Sequence, residues 1–289
     1  MTSTGLDHPD GAVYLLDKRE GVTSREAADL VAEAWGYGKR GHAGTLDPDA
    51  TGVLIALLGK ATRLSRFVAV HDKTYRFTVR LGVTTDTCDS SGRVLSRTSA
   101  EHVTADQVEE ALADFTGTFQ QRIPRFSAVR IEGRRAFKAA RKGEPLDMPT
   151  KEVTATEWTL VDYSLGRAVV EVRVSKGTYV RALARDIGDT LKTGGCAESI
   201  RRLSVGRFRV EECSSAVDDP SALRPMAEAM RGYPNMSLGG INAVSARHGR
   251  ALPGKAQGFV SLLDKADRLL AIGRGDGTTV KPICVLRPL

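Results

Sequence analysis

Apolar and polar residues alternate over the segment Tyr75–Leu81, where every second residue is apolar or aromatic and the three between are polar. A period of two places the apolar set on one face of an extended chain, and it predicts a half-buried strand. Val170–Val174 shows the same alternation, and Val13–Leu16 is a short apolar run. Three strands of the N-terminal part of the chain are therefore predicted.

Helices are predicted where apolar residues recur at intervals of three and four. Thr23 with Glu26, and Thr104 with Gln107, form capping boxes at the start of two such segments. A third helix is predicted behind Tyr179, and Pro220–Arg231 is predicted as the last helix of a large domain. The predicted apolar faces are Ala27, Leu30, Val31 and Ala34; Val108, Ala111, Leu112 and Phe115; and Val180, Leu183, Ala184, Ile187 and Leu191.

The tail of the chain changes character after Tyr233-Pro234-Asn235. It is rich in turns and offers strand candidates at Phe259–Leu263, Leu269–Gly273 and Val280–Leu286. We predict an α+β fold with two domains. Residues 1–231 form a domain with a mixed β-sheet and helices, and residues 232–289 form a small β-rich domain.

Composition narrows the class of protein. The 289 residues are 41% hydrophobic and 27% charged, as in ordinary globular domains, and no apolar run approaches the length of a membrane span. The polar start predicts no signal peptide. Four scattered cysteines argue against a zinc site or a disulfide framework and fit a reducing cytoplasm. A net charge of +7 suggests a polyanionic partner.

Positive charge is concentrated in one segment, residues 122–142. It contains eight basic residues and a single acidic one, Glu132, so its net charge equals that of the whole chain. Phe126 and Phe137 lie among the basic residues. A solvated helix face is the usual alternative for a charge run, but such faces mix both signs. The segment therefore predicts a surface that binds nucleic-acid phosphates.

The candidate catalytic element is the loop Gly41–Leu54, which carries Asp47 directly before a proline. Gly41, Gly44 and Gly52 allow tight turns or close approach to a ligand. The apolar run that follows would anchor the loop to a core. An Asp-Pro pair more often only starts a turn, so a purely structural role is the competing interpretation.

His42 to Leu54, His-Ala-Gly-Thr-Leu-Asp-Pro-Asp-Ala-Thr-Gly-Val-Leu, resembles the catalytic-loop signature of the bacterial tRNA pseudouridine-55 synthases, the TruB family. Further segments resemble the same family in the same order. They are Asp17–Ser24, where Arg19 replaces a proline of the family pattern; Gly82–Gly92; Pro124–Ala128, which matches loosely; Ser175–Arg181; and Ile200–Gly206, where Ile200 replaces a common leucine.

The resemblance implies a pseudouridine-synthase-like catalytic domain, with residues 122–148 as a basic thumb that clamps RNA, and a C-terminal PUA-like RNA-binding domain. It assigns Asp47 as the catalytic carboxylate. Tyr75 would stack on the flipped base, whereas pattern alone favours ordinary core filling. Arg181 would pair with the catalytic aspartate, whereas pattern alone predicts a surface residue.

Further residues are implied to bind the substrate. Tyr179 would pack in the pocket and Ile200 would form its wall, and His42 would pack against RNA where the base has left. Lys18 could support the site, although a surface or packing role is the usual alternative. The full set of predicted substrate contacts is Lys18, His42, Gly44, Thr45, Tyr179, Ile200 and, in the thumb, Arg134, Arg135, Lys138 and Arg141.

Isomerising uridine to pseudouridine breaks the N1–C1′ bond, turns the base and joins C5 to C1′. The reaction requires neither a redox step nor a group donor, so no cofactor and no metal are predicted. The uridine must be flipped out of a folded loop. The carboxylate of Asp47 could attack C1′, add to C6 or assist removal of a C2′ proton, and the sequence leaves these routes open.

The predicted function is a cytoplasmic enzyme that isomerises the T-loop uridine of tRNA. Its partner would be the T-arm stem-loop, with no membrane, and a monomer is expected because nothing demands an oligomer. Two alternatives stay open: a non-catalytic tRNA-binding or folding chaperone, and a pseudouridine synthase that acts on another RNA stem-loop.

Overall fold

The computed structural model describes residues 8–131, 133–142, 144 and 146–287. The chain divides into two compact units. The first contains the described residues up to Asp47, Val53–Val70, and the chain from Gly206 onward; the second contains Pro48–Gly52 and His71–Val205. The predicted domain boundary between residues 231 and 232 lies inside the first unit and stays a prediction.

The described residues form strands and helices with the following bounds. The strands are β1 Gly11–Lys18, β2 Arg40–Ala43, β3 Thr51–Gly59, β4 Lys73–Leu81, β5 Val83–Thr85, β6 Val94–Arg97, β7 Gly117–Arg122, β8 Arg130–Ile131, β9 Arg134–Arg135, β10 Thr150–Ser164, β11 Arg167–Val174, β12 Gly195–Val205, β13 Phe208–Arg209, β14 Leu223–Pro225, β15 Asn235–Ser237, β16 Leu252–Pro253, β17 Gln257–Leu263, β18 Leu269–Asp276 and β19 Thr279–Val285. The α-helices are α1 Ser24–Ala34, α2 Ser65–Val68, α3 Ala105–Asp114, α4 Ala136–Arg141, α5 Val180–Thr190 and α6 Gly240–Arg247.

In the first unit, β1 lies between β14 and β3, and β2 pairs antiparallel with β3. The predicted capping box of α1 is present, because Thr23 accepts from the Glu26 N–H and Glu26 accepts from the Thr23 N–H. The buried face of α1 is Ala27, Ala28, Val31 and Ala32. The predicted face was therefore partly wrong: Leu30 is 43% exposed and Ala34 is also exposed.

The C-terminal strands form a separate five-stranded sheet in the order β15-β17-β18-β19-β16, with α6 packed against it. The three strands predicted there are confirmed, and α6 is an addition that the sequence did not indicate. The prediction of a helix over Pro220–Arg231 is wrong. Pro225 lacks an N–H and restrains Arg224 to extended backbone, so the segment forms two short 3₁₀ turns around β14.

In the second unit, the strand order is β12-β4-β11-β10-β7. The alternation predicted for β4 is confirmed, since Tyr75, Phe77, Val79 and Leu81 are buried. The capping box at Thr104 and the helix behind Tyr179 are also confirmed as α3 and α5. The observed α+β architecture thus agrees with the predicted fold class.

Candidate active site

The loop that carries Asp47 is held at its neighbouring residue by the start of α1. The Ser24 hydroxyl donates a hydrogen bond to the Leu46 carbonyl (2.9 Å) and accepts one from the Leu46 N–H (2.8 Å). Ser24 and Leu46 are 2% and 3% exposed, whereas Asp47 is half-buried. The backbone beside Asp47 is therefore fixed, whereas Asp47 itself is less deeply buried than its neighbour Leu46.

The other predicted contacts of this loop lie just before Asp47. His42 belongs to β2 opposite Ala56, and its carbonyl accepts from the Ser65 hydroxyl at 3.1 Å. Gly44 has a φ of +80°, a value that favours glycine, and it is half-buried. Thr45 is exposed. The apolar run after the loop was predicted to anchor it to a core, and that run forms the buried part of β3.

Lys18 is buried, at 1% exposure, and its ammonium donates to the carbonyls of Arg19 and Val22, both at 2.7 Å. These carbonyls belong to the turn that leads into α1. The turn in which Arg19 replaces a proline is thus braced by Lys18. Lys18 is therefore a packed residue and not a surface residue. A direct contact between Lys18 and the substrate stays a prediction.

Gly52 lies at the C-terminal end of the loop, where the chain pairs with β12. Thr51 and Gly52 pair in parallel with Arg201 and Arg202 of β12. A Cβ on Gly52 would lie 2.2 Å from the Arg202 carbonyl oxygen, and the φ of Gly52 is +100°. Only glycine fits this position. The sequence predicted a tight turn or a close approach to a ligand at the loop glycines. At Gly52 the close neighbour is the backbone of β12.

Tyr75 lies on the buried face of β4 and is 9% exposed. The Arg202 guanidinium, 1% exposed, donates to the Tyr75 hydroxyl at 3.5 Å. The sequence interpretation did not assign Arg202 to the site. The signal was present, because Ile200 and Arg202 are two residues apart in a strand and so fall on one face. Ile200 is likewise buried, at 9% exposure.

Arg181 is a buried residue, and the surface position suggested by pattern alone is wrong. Its side chain is 8% exposed and forms an ion pair with Asp89 at 3.4 Å. The guanidinium also donates to the carbonyls of Thr87 (2.8 Å) and Phe126 (3.0 Å). Arg181 therefore connects the loop after β5 to the start of the thumb. Its predicted pairing with the catalytic aspartate stays a prediction.

Tyr179 caps the start of α5 and is fixed through its backbone. Its N–H donates to the Gln121 side-chain oxygen at 2.8 Å, and its carbonyl accepts from the Gln121 amide at 3.1 Å. Gln121 is 1% exposed and was missed by the sequence interpretation. Tyr179 packs against the buried cluster of Ile123, Ala136 and Met148 at the base of the thumb.

The described part of the thumb, residues 122–148, contains the β8–β9 ribbon and α4. Arg134, Lys138 and Arg141 are exposed, and Arg141 lies over the Phe137 ring, 5.7 Å from its centroid. Arg134 approaches Glu144 at 3.7 Å. Arg135 belongs to β9, and its side chain lies outside the described residues. Arg134, Lys138 and Arg141 are therefore accessible on the surface, and their binding to RNA phosphates stays a prediction.

Among the described residues, no group of three histidine, cysteine, aspartate or glutamate side chains is placed to hold a metal ion. Asp89 forms its ion pair with Arg181. Over the same part of the chain, none of the helices has the length and apolar character needed to span a membrane.

The chain is similar to known proteins in its family signature, in its sequence over nearly the whole length and in its fold. Residues 33–180 match the model of the TruB family pseudouridylate synthase, N-terminal domain. A tRNA pseudouridine synthase B of Thermobifida fusca (strain YX) is 38% identical, over 96% of this chain and 98% of the relative. One of Mycobacterium sp. (strain KMS) is 36% identical, over 96% and 97%.

Two solved structures share the fold. A chain of a Cbf5-Nop10-Gar1 complex has a TM-score of 0.76 at 24% identity, covering 97% of this chain and 86% of that one. A chain of an H/ACA RNP bound to a substrate RNA containing 2′-deoxyuridine has a TM-score of 0.73 at 22% identity, over 96% and 85%. Family match, near full-length relatives and fold agree, and the chain belongs to the TruB family of pseudouridylate synthases.

Proposed function

We propose that the protein isomerises the T-loop uridine of tRNA to pseudouridine. The observation that carries the proposal is similarity over nearly the whole chain to relatives named tRNA pseudouridine synthase B. The reaction rearranges one nucleotide and requires neither an electron acceptor nor a group donor. We therefore expect activity without a cofactor or a metal.

Asp47 is proposed as the reacting carboxylate. Its loop is held by the paired hydrogen bonds of Ser24 and Leu46, and this rigidity favours a reactive group that must meet one bond of the substrate. The route, through C1′, C6 or a C2′ proton, is left open. Arg181 is proposed to favour the charged form of the carboxylate, since a nearby guanidinium stabilises an anion.

Tyr75 is proposed to stack on the flipped uracil. Its position on β4 beside the buried Arg202 supports a defined orientation of the phenol ring. Tyr179 and Ile200 are proposed to form the pocket around that base. His42, Gly44 and Thr45 are proposed to contact the surrounding nucleotides, and Lys18 to brace the site through the turn before α1.

The thumb is proposed to hold the RNA through Arg134, Arg135, Lys138 and Arg141. Residues 232–289 contain eight basic and three acidic residues, so this segment is basic as well, and an acidic excess in the residues outside both segments offsets its charge. This charge supports the proposal of a PUA-like RNA-binding domain at the C-terminus. We further propose that the protein acts in the cytoplasm and as a monomer.

The test is pseudouridine formation in an unmodified tRNA transcript, mapped to position, for wild type and Asp47→Asn. The substitution keeps the shape of the side chain and removes its charge. We expect wild type to convert the T-loop uridine and Asp47→Asn to bind the same tRNA without converting it. The matched control is Asp49→Asn, an exposed aspartate two residues further along the loop.

Three results would contradict the proposal in different ways. Normal conversion by Asp47→Asn would remove Asp47 from the chemistry. Wild type that binds tRNA and converts no uridine would favour the chaperone alternative, and conversion confined to another RNA stem-loop would favour the second alternative.

A further inference from the structure

A cleft of about 540 Å³ lies within the second unit, between the loop after β5, the base of the thumb and α5. Its floor is apolar, because Ile123 and Met148 are buried and Leu146 packs beside them. The half-buried ring of Phe126 also lines it. This volume is in the range of pockets that hold small organic ligands. The cleft can accommodate a flat, largely apolar group.

The rest of the lining carries charge of both signs. It includes four arginines and three aspartates: Arg93, Arg122, Arg125, Arg185, Asp86, Asp186 and Asp189. Several of these charges are already paired: Arg185 with Asp186 at 2.7 Å, Arg93 with Asp86 at 4.0 Å and Arg122 with Asp147 at 3.8 Å. A ligand with both an anionic part and N–H donors can add to these pairs without separating them. A purely apolar molecule would remove water from the Arg185–Asp186 pair without replacing its hydrogen bonds.

Asp186 is a carboxylate of the lining that such a donor would stabilise. Its Oδ1 accepts from Arg185 at 2.7 Å, and Arg185 also donates to the Arg122 carbonyl at 3.0 Å. Arg185 is thus held in place by the fold. Burial nevertheless raises the pKa of Asp186, and burial raises the pKa of Asp189 as well. An additional N–H donor in the cleft would stabilise the charged form of these groups.

We propose that this cleft binds a nucleotide whose base carries an amino group. The base lies against Phe126 and the apolar floor, the amino group donates to Asp186, and the phosphate lies near Arg122 and Arg125. Aromatic contact with a base and an aspartate that accepts from a base amino group are both standard modes of nucleotide recognition. Uracil lacks an amino group, so the ligand differs from the nucleotide that the enzyme converts.

The nucleotide has two possible sources, an unpaired residue of the RNA substrate or a nucleoside monophosphate in solution. Both present the same base and phosphate to the cleft. Binding is measured without any conversion of uridine, so a failure of this proposal is distinguishable from a failure of the proposed function.

The experiment uses the full chain labelled with ¹³C at its methionine methyl groups. Met148 lines the cleft and reports occupancy, whereas Met226, Met230 and Met236 lie outside the lining and serve as internal references. The Met148 signal is assigned with Met148→Leu. Titration with cytidine, adenosine and guanosine monophosphates should shift it, and at least one should bind about fivefold or more tightly than uridine monophosphate.

Asp186→Asn should abolish this preference for an amino-bearing base, because the amide presents a donor as well as an acceptor. Asp162→Asn, an exposed aspartate on β10 outside the cleft, should leave it unchanged. Arg122→Gln should weaken binding of the monophosphate more than binding of the nucleoside, and Arg97→Gln is its matched control on the exposed face of β6.

A T-arm stem-loop RNA separates the two sources. Competition between the RNA and the monophosphate for the Met148 signal assigns the cleft to a nucleotide of the substrate, and simultaneous binding assigns it to a nucleotide in solution. The proposal is overturned if none of the amino-bearing monophosphates shifts Met148. It is also overturned if Asp186→Asn and Arg122→Gln, both folded, bind them as wild type does.

Discussion

The Ser24 hydroxyl and the Leu46 backbone exchange two hydrogen bonds, one in each direction, at 2.9 and 2.8 Å. The contact joins the first residue of α1 to the residue before Asp47, across 22 positions of sequence. Both residues are buried, so water cannot replace these bonds. Ser24→Ala would leave a buried N–H and a buried carbonyl unsatisfied.

We expect Ser24→Ala to lower the free energy of unfolding by about 2 kcal/mol. Conversion of uridine should fall about 10- to 100-fold, because the backbone that positions Asp47 is loosened. The matched control is Thr23→Ala, which removes the cap of the same helix at a cost of about 1 kcal/mol without touching Leu46. Equal loss of activity in the two variants would show that only helix stability matters.

The ion pair of Arg181 and Asp89 predicts a positioning role for Asp89. Asp89→Asn keeps the shape of the side chain and removes the negative charge 3.4 Å from the Arg181 guanidinium. We expect the turnover rate to fall about tenfold with little change in KM, since Arg181 would lose orientation while the RNA surface is intact.

The control for Asp89 is Glu171→Gln, which removes the carboxylate that pairs with Arg76 on the exposed face of the β4–β11 pair. An exposed pair of this kind contributes about 0–1 kcal/mol, so activity should be retained. A positioning role is refuted if Asp89→Asn turns over as fast as wild type.

The thumb predicts a strong dependence of tRNA affinity on salt. Changing Arg134, Arg135 and Lys138 to Gln together should weaken binding and reduce the slope of log affinity against log salt by about 2–3, as expected for three lost phosphate contacts. The measurement is tRNA binding over a range of salt concentrations. An equal charge change at the exposed Arg19, Arg97 and Lys192 is the control, and an unchanged slope in the thumb variant would exclude an RNA clamp.

Because Lys73 is buried, we expect its contribution to the stability of the protein to depend on pH. Burial first, and then the positive charge of Arg202, lower the pKa of Lys73 from 10.5 to about 8. Between those values the unfolded chain binds more protons than the folded chain, so the stability contributed by this group rises with pH. Below pH 8 the group is protonated in both the folded and the unfolded chain, and burying the ammonium then lowers the free energy of unfolding by about 3 kcal/mol.

Lys73→Met removes the titrating group. We expect the free energy of unfolding of wild type, relative to this variant, to rise by up to about 3 kcal/mol from pH 7 to pH 10.5. Urea denaturation at several pH values checks this, and the exposed Lys39→Met supplies the control, for which the difference should stay flat. A flat difference for Lys73→Met as well would mean that the ammonium stays protonated in the folded state throughout.

Local patterns in the sequence determined much of the fold. The alternation over Tyr75–Leu81 gave a correct strand and a correct buried face, and the capping boxes at Thr23 and Thr104 placed the starts of two helices. Each of these features depends on residues within one or two turns of each other. Helix capping and hydrophobic periodicity involve residues that are near one another in the sequence, so these strands and helix starts can be predicted from the sequence alone.

The same patterns failed where distant contacts outweigh local preference. Ala28 and Ala32, rather than Leu30 and Ala34, form the buried face of α1, because its packing partners fix the orientation of the helix. The segment Pro220–Arg231 contributes β14 to the edge of β1. Strand pairing with a partner some 200 residues away is invisible to any local rule.

The sequence by itself determined the family, and it marked Asp47 as the proposed reacting carboxylate and residues 122–148 as the proposed thumb, because these features lie in contiguous residues. Only the tertiary structure decided that Arg181 is buried, that it contacts Asp89 and Phe126, and that Lys18 and Arg202 are enclosed. The residue type alone does not decide whether an arginine or a lysine is buried or exposed. Its environment depends on carbonyls and carboxylates that folding brings from remote parts of the chain, and such partners leave no periodic trace around the charged residue itself.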